Sequence, residues 1–219
     1  MLSESTTFAA SQLLGCLGAA AIIYGSWKAF RATQLKVLVA YSTVGQLGYI
    51  FLLFPLSAMA SNSHSFSSLA SQAAVYFIVA HACAKAAMFL SAGNLILSQG
   101  TGDIAQLKGI ASREPLNLLV FAIAGVSLIG LPPSAGFIAK WLLLSASIES
   151  GQWWWVIVVL CGGLITAIYL AKILNLAFTG KPPAPGTIAQ THPSRMLTAA
   201  ALVLALITLA LGLNAELIL

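Results

Sequence analysis

The sequence predicts an all-α, polytopic membrane protein with six transmembrane segments, the fourth of them a broken helix. Three observations carry this. The chain of 219 residues is 59% hydrophobic and only 7% charged, with a mean hydropathy of +0.95, whereas soluble domains carry about 25% charged residues. Its apolar runs are long enough to cross about 30 Å of hydrocarbon. One run holds both a Pro132-Pro133 pair and Lys140. A lysine at the bilayer centre costs roughly 2.5–3.5 kcal/mol on insertion scales. A proline pair removes backbone hydrogen bonds that lipid cannot replace. Ion movement across a membrane is the first function such a combination suggests.

The first span is expected at about 8–28. It resembles a signal peptide in length. However, no basic segment precedes it, and Lys28 and Arg31 follow it, so it is read as a retained span. The second is expected at about 35–60 and carries a polar patch of Tyr41, Ser42, Thr43 and Gln46, then Pro55 as a kink. Such a patch either holds water or bonds neighbouring helices. The third, at about 69–98, contains His81 and Lys85, four residues apart and therefore on one helical face. The fifth and sixth are expected at about 152–179 and 196–216. The intervening loops are too short for a soluble domain, and the whole chain is read as one transmembrane domain.

The fourth segment, about 115–149, is too long for one straight crossing. Splitting it at Pro132 would leave a second span of 12 residues, 137–148, reaching only about 18 Å at 1.5 Å per residue. One discontinuous helix fits better, with Pro132, Pro133 and Gly136 in an unwound 132–136 segment. Broken helices of this kind line ion and substrate sites in transporters.

Loop charges agree with six crossings. The loops after spans one, three and five share a side and carry Lys28, Arg31 and Lys36, then Lys108 and Arg113, then Lys181 and Arg195. The positive-inside rule puts that side in the cytoplasm and both termini outside. Trp153, Trp154 and Trp155 then fall at the external interface as an aromatic belt. The net charge of +5 is accordingly read as a topology signal, with no nucleic-acid partner. Cys16, Cys83 and Cys161 each lie in an apolar run without a CxxC pair and are read as small buried hydrophobes.

His81, Lys85 and Lys140 are the deep ionisable residues. The acids Glu4, Asp103, Glu114, Glu149 and Glu216 all fall at termini, loops or span ends. No carboxylate of this chain is placed to partner a mid-membrane lysine. Three options stay open for Lys85 and Lys140: a neutral amine, an amine solvated in a water-filled cavity, or one paired with an acid from another chain. A lysine that can take and release a proton is what a relay needs, so Lys140, Lys85 and His81 are the expected proton-transfer residues. His81 alone also suits a hydrogen-bonded packing role. Lys172, near a span end, is expected to snorkel. His64 and His192 are loop residues without an evident partner. The sequence shows no metal cluster, phosphate loop or activated nucleophile, and no cofactor is expected in this chain.

The stretches LKVLVAYSTVGQLGYIF (35–51), AHACAKAAMFLSAG (80–93), GLPPSAGFIAKWLLL (130–144) and TAIYLAKILNLAFTGK (166–181) resemble, in this order, the proton-translocating antiporter-like subunits. These are the large membrane subunits of respiratory complex I, multisubunit sodium/proton antiporters and membrane-bound hydrogenases. The resemblance implies two inverted five-helix repeats in the full family core, of which this chain resembles only the second plus a closing helix. It implies that Lys140 matches the outward-handing lysine or glutamate of the second broken helix. Lys85 then matches the central lysine, His81 its neighbour, and Lys172 a basic position near the cytoplasmic end of the next helix, a candidate for the proton path or for water binding. The chain departs from the family at Gln34-Leu35-Lys36-Val37, where Asp-Leu-Lys-Arg is frequent, and at Phe77, where some members carry histidine. The first repeat is missing, so a fragment or a companion chain supplying it is expected.

The leading expectation is a proton-translocating subunit, or half-subunit, of a redox-driven NADH/quinone oxidoreductase or hydrogenase in an inner or equivalent energy-transducing membrane. Its partners would be other membrane subunits, lipid, and protons or sodium. The alternatives are a sodium/proton antiporter component, a carbon dioxide or bicarbonate uptake component, and a membrane anchor without transport.

Overall fold

The computed structural model describes residues 4–59, 64–180 and 194–218. His192, Lys181 and most of the proline-rich loop lie outside them. Nine α-helices fill the described residues: α1 Glu4–Arg31, α2 Leu35–Phe51, α3 Leu53–Met59, α4 His64–Gln99, α5 Pro115–Ile129, α6 Ala135–Glu149, α7 Trp154–Phe178, α8 Arg195–Leu213 and α9 Ala215–Ile218. Two 3-10 turns, Ile104–Leu107 and Ile110–Ser112, shape the loop before α5. Five stretches are long and apolar enough to cross a membrane: Thr6–Arg31, Leu35–Ala58, Gln72–Gln99, Trp154–Phe178 and Arg195–Leu213. Among the described residues there is no strand beyond an isolated Gln34–Asp103 bridge.

That bridge joins two of the basic loops. The Leu35 amide donates to the Gly102 carbonyl at 2.8 Å and the Ile104 amide to that of Thr33 at 2.9 Å. The loops after α1 and α4 therefore lie at the same end of the bundle, as the charge pattern requires. Gly180, at the end of α7, lies beside Lys108 of the same region.

Helices α1 and α2 pack closely because glycines meet at their crossing. A Cβ on Gly18 would strike the Phe51 side chain and the Gly48 backbone, and one on Gly25 would strike Gly45 and Tyr41. Two apolar clusters stack along α4. One joins the half of α4 from Ala84 to Leu95 with α5. The other joins the half from Ala73 to Ala80 with α3 and α6. So α5 and α6 occupy opposite halves of the bundle.

Each end carries a polar knot. At the basic end, Asn94 Nδ2 donates to Asn117 Oδ1 (3.1 Å) and to Thr198 Oγ1 (2.8 Å). Asn117 Nδ2 in turn donates to Glu114 (2.8 Å). This ties α4, α5 and α8 together. Interhelical polar bonds in a membrane contribute about 0.6–2 kcal/mol each. Asn117→Leu is expected to lower the thermal midpoint of the solubilised protein by several degrees, and an unchanged midpoint would contradict the knot's role. At the other end, Gln152 Nε2 donates to the Pro55 carbonyl (3.0 Å), and Gln152 Oε1 accepts from Gln12 (2.6 Å) and from Trp155 Nε1 (3.0 Å). Trp155 is therefore buried, and only Trp153 and Trp154 keep the exposure expected of a belt. The indole N–H found a partner inside the bundle, which removes its reason to seek the interface.

Candidate functional site

The site begins where α5 stops. Gly130 takes φ +87°, a left-handed conformation that glycine adopts without strain. The amides of Gly130 and Leu131 fold back onto the Val126 carbonyl, both at 3.1 Å, a glycine-terminated helix end. Leu131, Pro132 and Pro133 follow, exposed, with a cis bond between the prolines. Ser134 then caps α6, accepting from the Phe137 amide at 3.3 Å and donating to the Leu131 carbonyl at 2.7 Å. The non-helical stretch between α5 and α6 therefore covers 130–134, two residues earlier than the expected 132–136. Gly136 is not part of it, because the Ser134 cap starts the helix at Ala135. Gly136 serves instead as a contact point: a Cβ there would collide with the Ser127 carbonyl. Gly212 of α8 similarly admits the Pro133 and Ser134 backbone.

Stopping α5 leaves the carbonyls of its last turn without helical partners. Lys140 takes them. Its Nζ donates to the Leu128 carbonyl at 2.8 Å and the Ile129 carbonyl at 2.9 Å, and lies 4.5 Å from the centre of the Tyr49 ring. The side chain is 6% exposed. The negative end of the α5 dipole and the aromatic face both favour a cation there. Gln46 Nε2 shares the Leu128 carbonyl at 3.1 Å.

Lys85, 5% exposed, is held by α2. Its Nζ donates to the Val39 carbonyl at 3.0 Å and to Ser42 Oγ, and sits 5.9 Å from the Phe89 ring. Ser42 Oγ and Thr43 Oγ1 also donate to the Val39 carbonyl, at 2.8 and 3.1 Å. Ser42 and Gln46 are one turn apart on α2, as Lys85 and His81 are on α4. The two facing helices thus lead from Lys85 to a small cavity lined by His81, Gln46, Ser127 and Lys140, with Phe77 and Leu128 in its wall. His81 is half-buried and stacks on Phe77 with ring centres 6.2 Å apart.

The structure brings together Lys140, His81 and Gln46 around one cavity, and Lys85 with Ser42. It leaves Lys172 exposed, with Nζ 5.3 Å from the Phe30 ring, and Tyr41 half-buried in edge contact with Tyr24. Ser127, Tyr49 and the carbonyls of Val39, Leu128 and Ile129 are not legible in the sequence as site groups. A serine one turn before a Gly-Leu-Pro-Pro stop is the one available signal.

A multi-crossing helical bundle with two buried amines, one of them bonded to the freed carbonyls of a helix end, defines an integral membrane protein with a polar interior. The family model "NADH:quinone oxidoreductase/Mrp antiporter, TM" matches residues 1–166, and the chain belongs to that family. It is 34% identical to NADH-quinone oxidoreductase subunit N of Desulforudis audaxviator, over 82% of this chain and 34% of that protein. It is 31% identical to an Na(+)/H(+) antiporter subunit of Bacillus subtilis, over 77% of this chain and 22% of that one. The chain thus spans about a third or less of the curated relatives it matches. Among solved structures, a chain of the Mrp complex from Dietzia sp. DQ12-45-1b superposes with a TM-score of 0.82 at 25% identity, covering 95% of this chain and 45% of that one. A chain of respiratory complex I from Thermus thermophilus gives 0.67 at 27% identity, covering 94% and 44%.

Proposed function

We propose that this chain carries part of a proton path across an energy-transducing membrane, as an antiporter-like subunit, or half of one, in a redox-driven complex. The observation that supports this best is Lys140, an amine at a helix interruption whose partners are two carbonyls rather than a carboxylate. Carbonyls accept hydrogen bonds from a protonated or a neutral amine alike. Lys140 can therefore keep its place while its charge changes. Lys85 and His81 of α4 and Lys140 of α6 then form a series in which a proton moves between nitrogens.

In this reading α5 and α6 are the two halves of one crossing. Each has 15 residues, about 22 Å at 1.5 Å per residue, and they pack in opposite halves of the bundle. That makes six crossings. With Lys28, Arg31, Lys36, Lys108, Arg113 and Arg195 at one end, the positive-inside rule puts this end in the cytoplasm and both termini outside. The partial match to longer relatives supports a further repeat, supplied by a companion chain or by more of the same protein. The likeness to the Mrp complex favours a second reading, a sodium/proton antiporter, which sodium-dependent transport without an electron donor would single out.

The test is proton uptake by membrane vesicles carrying the assembled complex with Lys85→Ala or Lys140→Ala. Uptake is expected to fall at least tenfold in each. Unchanged uptake in both overturns the reading.

A further inference from the structure

Lys28 and Arg31, in the last turn of α1, take no part in the site described above. With Trp27, Thr33, Val37 and Tyr41 they line a pocket of about 270 Å³ where α1 turns into α2. Both cations are exposed and are held by rings. Lys28 Nζ lies 5.6 Å from the centre of the Tyr24 ring, and the Arg31 guanidinium 5.8 Å from that of Trp27. Tyr24 meets Tyr41 edge-on, and Trp27 packs on Phe30. Among the described residues no carboxylate lines the pocket. The acid of the neighbouring loop, Asp103, caps the Ala105 amide at 3.0 Å instead. Helix α2 starts here without a side-chain cap and without an acid in its first turn. The positive end of its dipole therefore adds to the two cations.

The exposed stripe of α1 continues from this pocket through Trp27 and Tyr24 to Leu17 and Leu13. Positions 13, 17, 24, 28 and 31 share one helical face. Along it the surface is apolar, then aromatic, then basic. Leu17 and Lys28 are about 16 Å apart along the helix at 1.5 Å per residue, close to one leaflet of a roughly 30 Å hydrocarbon core. A phospholipid presents the same order of acyl chain, interface and phosphate. Aromatic rings favour the headgroup level. An arginine fork matches phosphate oxygens, and lysine adds a point charge.

We propose that this pocket binds the headgroup of one anionic phospholipid. Arg31 and Lys28 hold the phosphate, the Thr33 hydroxyl donates to one of its oxygens, and an acyl chain follows Tyr24 and Leu17. A zwitterionic headgroup would bring a cation of its own into a pocket that holds no acid, so the anionic class is selected. Basic pockets between transmembrane helices on the cytoplasmic side take such headgroups. The choice of leaflet rests on the orientation given above; the pocket does not depend on proton transfer.

The intact complex in nanodiscs tests this, with dioleoylphosphatidylglycerol as the probe. A cryo-EM map is expected to show phosphate density within hydrogen-bond distance of Arg31, and a map in dioleoylphosphatidylcholine alone to show none. Equal density in both, or another subunit seated in the pocket, overturns the proposal. Retention of labelled phosphatidylglycerol by the detergent-washed complex is then compared in two double variants. Lys28→Gln with Arg31→Gln removes the charge of the pocket. Lys36→Gln with Lys108→Gln removes the same charge from exposed positions at the same end. The first is expected to lose one bound lipid per copy of this chain and the second none. Equal loss would show a general surface attraction and overturn the site. Release of the labelled lipid by millimolar inorganic phosphate would overturn the choice of a lipid over a free anion. If the first variant fails to assemble, the two wild-type maps decide. Headgroup density beside unchanged proton uptake in Lys85→Ala and Lys140→Ala would leave the lipid site standing and the function wrong.

Discussion

Lys140→Arg is expected to abolish proton transfer while the complex still assembles. Arginine keeps a positive charge and can donate to the Leu128 and Ile129 carbonyls, but it does not release its proton in a protein. If Lys140 served only as a fixed cation that holds α5 and α6 together, arginine would preserve function. If it cycles between charge states, arginine blocks the path. A loss of at least tenfold in uptake, about 1.4 kcal/mol in the barrier, is expected beside a near-wild-type yield of complex. Lys140→Met serves as the companion variant, an unbranched side chain one atom shorter and without charge. It removes the amine from the Leu128 and Ile129 carbonyls, of which Leu128 keeps the Gln46 amide, and should lose transfer too. Wild-type uptake in the arginine variant would show that protonation of this residue is not part of the path.

Gly136→Val is expected to have the largest effect on folding. The first turn of α6 lies so close to α5 that a single methyl group would overlap the Ser127 carbonyl. The obstacle is backbone, which cannot rotate away as a side chain can. Overpacking in a core typically costs about 1–3 kcal/mol, occasionally more, and this position should exceed the top of that range. Valine adds two further methyl groups beside the wall of the His81–Lys140 cavity. A sharp fall in folded, monodisperse protein is the expected result, measured by yield and size-exclusion profile. A wild-type profile would mean that α6 can move off α5 freely, and would remove the close packing on which the site geometry depends.

Much of this architecture is legible in the chain itself. The helices fall where the apolar runs do, since a bilayer forces every backbone polar group into an intrahelical bond. The grouping of basic loops at one end is repeated by the Gln34–Asp103 bridge. The Gly-Leu-Pro-Pro-Ser stretch reads as an interruption, because each residue has a strong local preference. Its register differs by two residues from the expectation because a serine cap outweighs the glycine at 136. Cap choice depends on which side chain reaches which amide, and hydropathy does not carry that.

The partner of Lys140 is the harder matter. The sequence places no carboxylate beside it, and the options of a neutral, hydrated or externally paired amine leave out the backbone as a partner. The answer lies in the backbone. When α5 ends, its last carbonyls lose their partners, and packing the start of α6 against them puts an amine within 3 Å. Every residue has a carbonyl, so composition and spacing cannot flag one as a ligand. The same holds for the Val39 carbonyl under Lys85 and for the cavity that joins His81 to Ser127.

The linear order of residues thus settled what local forces settle: where helices form and which loops carry the basic residues. Only the packed bundle decided what the nitrogens of His81, Lys85 and Lys140 touch. Contact between α2, α4, α5 and α6 joins groups as distant in the chain as Gln46 and Leu128 or Tyr49 and Lys140, and the hydrogen bonds that hold each amine are directional, so they exist only once the helices are docked.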